Sequence, residues 1–177
     1  LLDWQTAVKI PWDILILFGG GFALAKGFND SGLTQSITGQ LNVLQGCNLF
    51  LMISIVTILV IFLTELTSNT ATASMVLPII AALSVAMGVH PYGLMIAVAL
   101  ASSFAFMLPV ATPPNAIVFS SRYITIRQMA KTGIWLNLFG AIIITLFIML
   151  YLPFIWDIDI KNLPLDMHII DALEKKL

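Results

Sequence analysis

The sequence predicts an all-α membrane protein in which one helical hairpin re-enters the bilayer and one spanning helix is broken. Three observations predict it. Hydrophobic residues make up 59% of the 177 residues and charged residues 10%, whereas soluble domains carry roughly 25% charged residues. Between Asp30 and Arg122 the sole charged side chain is Glu65, so that stretch must cross or enter the membrane repeatedly. Two clusters interrupt its apolar runs, Thr67-Ser68-Asn69-Thr70 and Pro109-Val110-Ala111-Thr112-Pro113-Pro114-Asn115. Mean hydropathy is +1.01. Lipid is therefore the expected solvent, and a multi-pass position in the plasma or bacterial inner membrane follows. A net charge of −1 provides no basic footprint for nucleic acid. The single cysteine, Cys47, excludes an internal disulfide and a multi-cysteine metal site. The chain opens on Leu1 with no basic segment before an apolar one. A signal peptide is thus not expected, and the opening reads as a cut from a longer chain or an incomplete reading frame.

The first span covers Trp12 to Phe28 within residues 1–32. Its Gly19-Gly20-Gly21 run lacks the spacing of a phosphate loop and reads as close helix packing through small residues. Asn29-Asp30-Ser31-Gly32 ends it with turn chemistry. In residues 33–48, Leu33, Ile37, Leu41 and Leu44 recur among Gln, Ser, Thr and Asn. That is the pattern of an amphipathic helix in the interface plane.

Residues 49–87 form the expected hairpin. Its apolar arms, Leu49–Leu66 and Ala71–Met87, are separated by small hydrogen-bonding side chains, with no charge, Gly or Pro at the turn. A loop that left the membrane would normally carry such residues. Irregular backbone at bilayer depth is tolerated where protein or a water-filled cavity satisfies it. Gly88-Val89-His90-Pro91 then reads as a surface turn.

Residues 92–121 form a discontinuous helix. Three prolines between 109 and 114 remove donors and clash with a continuing helix. Thr112 suits the N-cap of the second half, and Pro113 its first position. Arg122, Arg127 and Lys131 cluster in the next connection, which the positive-inside rule makes cytoplasmic. The last span lies within 129–156, with Trp135, Tyr151 and Trp156 as interface anchors. It carries the tail, 157–177, outward, so the hairpin opens to the outside. Ile169, Ile170 and Leu173 suit a short amphipathic helix in that tail.

Each break exposes helix ends inside the membrane. N-terminal ends, after Ser68-Asn69 and at Thr112-Pro113, offer unpaired N–H groups and partial positive charge to an anion. The opposing C-terminal ends, near Thr64–Thr67 and Pro109–Ala111, offer carbonyls that suit Na⁺. Secondary transporters build midplane sites in this way. No Arg or Lys lies within reach, so an anion would depend on dipoles, hydroxyls, amides and a cotransported cation. Glu65 is a functional candidate by default as an intramembrane carboxylate. Its readings are a cation ligand, a proton carrier, or a structural group paired with helix N-termini outside this chain. An intramembrane hydrolase using Ser68 is disfavoured: no Gly-x-Ser-x-Gly elbow is present. The chain is not expected to be an enzyme.

At the two breaks the sequence resembles the divalent anion:sodium symporter family, the sodium-coupled dicarboxylate and citrate transporters. The motifs are Thr64-Glu65-Leu66-Thr67-Ser68-Asn69-Thr70-Ala71, with the family's Ser-Asn-Thr triplet, and the long run from Ser102 to Phe119. The resemblance extends from Trp12 to Trp156. It implies one inverted repeat, the second, of an elevator-type transporter that works as a homodimer. The first span would belong to the scaffold, and the hairpin, broken helix and last span to the moving part. By motif position, Thr64, Thr67, Asn69 and Ala111 would line a sodium site. Ser68, Asn69, Thr70, Thr112 and Pro113 would contact the substrate carboxylates. Thr67 stands where some members have Ala. The implied function is sodium-coupled symport of dicarboxylates (succinate, malate, fumarate) or citrate, this chain supplying half of the site. The other half would come from a missing N-terminal half. The alternatives are a related transporter for sulfate or an arsenical oxyanion, and a non-transporting fragment.

Overall fold

In a computed structural model, the structure describes residues 48–164, together with 3–8, 30–32 and isolated positions between 12 and 27. The expected interfacial helix at 33–47 and the amphipathic stretch around Ile169 lie outside the described residues. A short helix, α1, covers Trp4–Ala7. In the first span the described positions between Trp12 and Gly27 are helical and exposed. Nothing lies within 4 Å of a Cβ built on Gly19 or Gly20, so the packing expected of this glycine run has no partner among the described residues.

The rest is helical. Helix α2 spans Leu49–Thr64 and α3 spans Asn69–Ala86. Asn48 caps α2 by accepting from the Phe50 N–H at 3.2 Å. The Ser68 side chain makes no cap bond at the start of α3. Helix α3 ends in a Schellman motif: Val89 N–H donates to the Ser84 carbonyl and Gly88 N–H to that of Val85, both at 3.0 Å. Gly88 takes a φ of +70°, which only glycine adopts without a Cβ penalty.

Helix α4, Pro91–Ala101, is the centre of the bundle, packing against both α2 and α3. Pro91, Gly93, Leu94, Ala97, Val98 and Ala101 are its buried positions, a helical face of period 3.6. Ile53, Ile61, Leu94, Val98 and Ile148 are fully buried in one core. His90 is the N-cap of α4: its Nδ1 accepts from the Tyr92 N–H at 3.2 Å. The surface-turn reading of Gly88–Pro91 therefore holds for the turn but not for His90, which is buried beneath it.

Helix α4 stops, the chain runs without helix through Phe104 and Ala105 to Thr112, and α5 resumes at Pro113–Ser120. This is the discontinuous helix. Thr112 is the N-cap of α5 and Pro113 its first residue, as the proline spacing predicts. Helix α6, Ile126–Leu146, starts from a capping box between Thr125 and Gln128. A π-helical turn, Phe147–Tyr151, leads into α7, Leu152–Trp156. Pro153 cannot donate to the carbonyl four residues back, and its ring crowds it; the wider π turn lies where that conflict falls. Two described stretches, Asn69–Ala86 and Ile126–Trp156, are long and apolar enough to cross a membrane.

After Asp157 the chain folds back. Ile160 and Leu163 are buried, Ile160 lies 3.7 Å from a Cβ built on Gly93, and Leu163 N–H donates to the Gly88 carbonyl at 3.1 Å. The end of the last span and the start of the broken helix therefore lie at the same end of the bundle.

Candidate functional site

The α2–α3 turn and the α4–α5 break meet. The Thr64 hydroxyl lies 2.8 Å from the Ser102 carbonyl oxygen, which sets the hairpin tip level with the end of α4. Between tip and break lies a cleft of about 540 Å³. Ser68, Asn69 and Thr70 line one side of it. Ala111, Thr112, Pro113, Pro114 and Asn115 line the other, with Ser103, Ala105 and Phe106 completing the wall. No lining side chain is charged. All five residues expected to contact substrate, and Asn69 and Ala111 of the expected sodium set, face this one space.

Thr64 and Thr67 do not line it. Thr64 is fully buried, and its hydroxyl is also 2.7 Å from Asn69 Oδ1. One hydroxyl proton cannot serve both Ser102 and Asn69. The orientation of an Asn amide is assigned from its network rather than seen. With the amide turned, Nδ2 donates to Thr64 and Thr64 donates to Ser102, so every partner is matched. Oδ1 is then freed from Thr64, as a cation ligand from Asn69 requires. The Thr67 hydroxyl donates to the Leu63 carbonyl at 2.9 Å and pairs with the hydroxyl of Thr72. Both threonines thus brace the tip with their side chains.

The two helix N-termini are unequal, which corrects the expectation that both offer N–H groups to an anion. Pro113 and Pro114, the first two residues of α5, have no N–H. The next amide, that of Asn115, is turned onto Thr112 Oγ1 at 3.4 Å. Helix α5 therefore offers a dipole and the Thr112 hydroxyl but no free amide in its first turn. At α3 the first amide to find a backbone partner is that of Thr72, on the Ser68 carbonyl at 2.8 Å. The first-turn amides before it have no carbonyl within the helix to bond, and Ser68 caps none. Donors for an anion are concentrated at the hairpin tip.

The carbonyls of the break are also partly claimed. Asn115 Nδ2 donates to the Ala105 carbonyl at 2.8 Å and to that of Leu108 at 3.0 Å, tying both edges of the break to α5. Glu65, 3% exposed, accepts from the Phe106 and Met107 N–H groups at 2.7 and 2.8 Å through Oε1. It accepts from Leu108 N–H at 3.0 Å through Oε2, and Asn137 Nδ2 reaches Oε1 from α6 at 2.7 Å. Its partners lie within this chain, contrary to the reading that placed helix N-termini outside it.

Sequence reasoning missed Asn137, Gly133 and Gly140. They share one face of α6 with Ala141 and Ile144, all buried. A Cβ on Gly133 would meet the Phe106–Met107 backbone, and one on Gly140 the ring of Phe104. A lone Asn within an apolar span, flanked by glycines three and four residues away, was the available signal.

Residues 1–157 match the family model described as the sodium:sulfate symporter transmembrane region. The chain belongs to this symporter family. Among curated relatives it is 49% identical over 166 residues to the sodium-dependent dicarboxylate transporter SdcS of Staphylococcus saprophyticus, covering 93% of this chain and 32% of that protein. Against the transporter of the same description from Staphylococcus aureus (strain USA300) it is 54% identical over 167 residues, covering 94% of this chain and 32% of that one. The chain thus spans about a third of the length of these relatives. The resemblance drawn from the two breaks is borne out at the level of the family. So are a multi-pass membrane location and membership of a transporter rather than an enzyme family. The family match stops at residue 157, where the tail begins.

Proposed function

We propose that the chain is part of a sodium-coupled symporter for dicarboxylates (succinate, malate, fumarate) or citrate, and that it supplies one side of the binding site. The observation that carries this reading is the uncharged cleft between a donor-rich hairpin tip and a helix break. Ser68, Asn69 and Thr70 present hydroxyls, an amide and first-turn N–H groups to a carboxylate, with Thr112 and the ring of Pro113 opposite. Asn69 Oδ1, with carbonyls of Thr64, Thr67 and Ala111, holds sodium. A cation about 4 Å from a carboxylate contributes about 4 kcal/mol at an effective dielectric of 20. In a cleft without Arg or Lys that attraction is the origin of coupling. The names of the relatives, sodium-dependent dicarboxylate transporters, point the same way.

The tip enters the bilayer and returns, because it is level with the end of α4, a helix about 17 Å long by its 11 residues,. The hairpin opens to the outside, with the 157–163 segment at the same end, and the Arg122–Lys131 connection faces the cytoplasm. A reporter fused after Trp156 that scored as cytoplasmic would overturn this orientation. In the full homodimer the hairpin, broken helix and last span form the second repeat and move against a scaffold that includes the first span.

The test is uptake of labelled succinate by the full-length transporter in proteoliposomes. Uptake should require an inward sodium gradient and be competed by malate, fumarate or citrate. The family's description names sulfate, so sulfate belongs in the same competition. Displacement by sulfate alone, or uptake indifferent to sodium, would refute the proposal.

A further inference from the structure

We infer that Glu65 is a positioning residue, an internal anion that holds the three consecutive amides of the helix break in place and thereby fixes the cleft wall. The break must satisfy Phe106, Met107 and Leu108, whose N–H groups have left the helical ladder. An unsatisfied backbone group at bilayer depth costs several kcal/mol. Three successive amides facing one point make an anion-binding concavity. Here the chain fills that concavity with its own side chain, from a position three residues before Ser68 in the hairpin tip.

The bond count decides between the readings of Glu65. Four N–H donors converge on the carboxylate, three on Oε1 at 2.7, 2.8 and 2.7 Å and one on Oε2 at 3.0 Å, so the positive ends of four N–H dipoles already face it. A cation bound there would have to sit among the positive ends of these N–H dipoles, against a residue that is 3% exposed. A proton carrier needs a neighbour that takes the proton onward. All four partners are N–H donors, and none of them can take it. The side chain instead joins three elements: the tip that carries it, the break and, through Asn137, helix α6. Phe106, whose amide it holds, is part of the cleft wall, so an error in the clamp is an error in the site.

The experiment is hydrogen exchange at single-residue resolution on the full-length transporter, with wild type, Glu65→Ala and Glu65→Gln. In Glu65→Ala the amides of Phe106, Met107 and Leu108 should exchange about tenfold faster or more, the effect of losing a buried bond to a charged acceptor. Gln retains Oε1 but turns an NH2 group towards Leu108, so Glu65→Gln should release mainly the Leu108 amide. Unchanged protection of these amides in both variants overturns the inference. A second readout rests on the proposed function: sodium-driven succinate uptake by Glu65→Gln. Positioning predicts a lower maximal rate with an unaltered pH profile and an unaltered sodium dependence. A flattened pH profile would make Glu65 a proton carrier, and a shifted sodium dependence would make it a cation ligand; either overturns positioning. If the wild type takes up no succinate, the transport reading fails, while the exchange data still decide the role of Glu65.

Discussion

Gly133→Ala is the sharpest test of how the last span and the break fit together. A methyl group there would lie 2.6 Å from the Phe106 carbonyl carbon and 2.7 Å from Met107 Cα, and closer still to the Phe106 carbonyl oxygen. Carbon atoms pack best at about 3.5–4.0 Å, so the backbone must retreat by about 1 Å. It has little freedom to do so, because Glu65 holds the amides of both residues. Overpacking costs about 1–3 kcal/mol, and the pinned backbone puts this site at the upper end. Alanine returns about 1 kcal/mol of helix propensity. The net loss is about 2 kcal/mol, a factor of roughly 30 in the folded population. Thermal melting of the full-length protein in detergent, read by size-exclusion chromatography, would register it, and hydrogen exchange at Phe106–Leu108 would localise it. Gly20→Ala is the control, with nothing within 4 Å among the described residues. Gly140→Ala should fall between them: the three atoms nearest its Cβ would all belong to the ring of Phe104, Cε1 among them at 2.5 Å, and a ring can turn. If Gly133→Ala melted with Gly20→Ala and left the break amides protected, the close approach of α6 to the break would be refuted.

Three further outcomes follow from the same geometry. Asn137→Asp should destabilise more than Asn137→Leu in melting assays, because it sets a carboxylate against Glu65, whereas Leu also removes Asn137 Oδ1, which is buried without a hydrogen-bond partner. Asn115→Ala strips two carbonyls of their side-chain donor and should cost about 1–3 kcal/mol, seen as a lower melting temperature and weaker substrate binding. Burial pushes the His90 imidazole below its ordinary value of 6.5, and the Asp159 carboxylate opposes this. A base with a lowered folded pKa stabilises above its ordinary value and loses that contribution as pH falls through the lowered one. The cap on Tyr92 N–H, which needs an unprotonated Nδ1, should therefore weaken in acid, measured as faster intrinsic-rate-corrected exchange of the Tyr92 amide. Asp159→Asn should move that loss to lower pH, and His90→Asn should abolish the pH dependence.

Much of the fold was legible because membrane helices declare themselves locally. The expected arms, Leu49–Leu66 and Ala71–Met87, fall within two residues of α2 and α3 at each end. The break, the Thr112 cap and Pro113 at the first position were readable because proline acts on its immediate neighbours. The contents of the cleft were legible through motif, since tip and break each carry a short polar cluster. The partners of Glu65 were not. They lie 41 to 43 residues away in the break and 72 residues away at Asn137, and no local rule pairs a carboxylate with amides so distant. Gly133 and Gly140 looked like ordinary residues of an apolar span, because what matters is the surface opposite each one. The loss of donors at α5 could have been read from Pro113-Pro114, but the helix-dipole argument treats all N-termini alike and hid it.

That pair of prolines has a consequence for how any guest would sit. One face of the cleft, at Asn69–Ala71, offers hydrogen, and the other, at Pro113-Pro114, offers mainly hydrocarbon. A dicarboxylate of the proposed kind would set one carboxylate at the tip and lay the carbon chain between its two carboxylates along the prolines. The prolines therefore divide the cleft into a hydrogen-donating face and a hydrocarbon face.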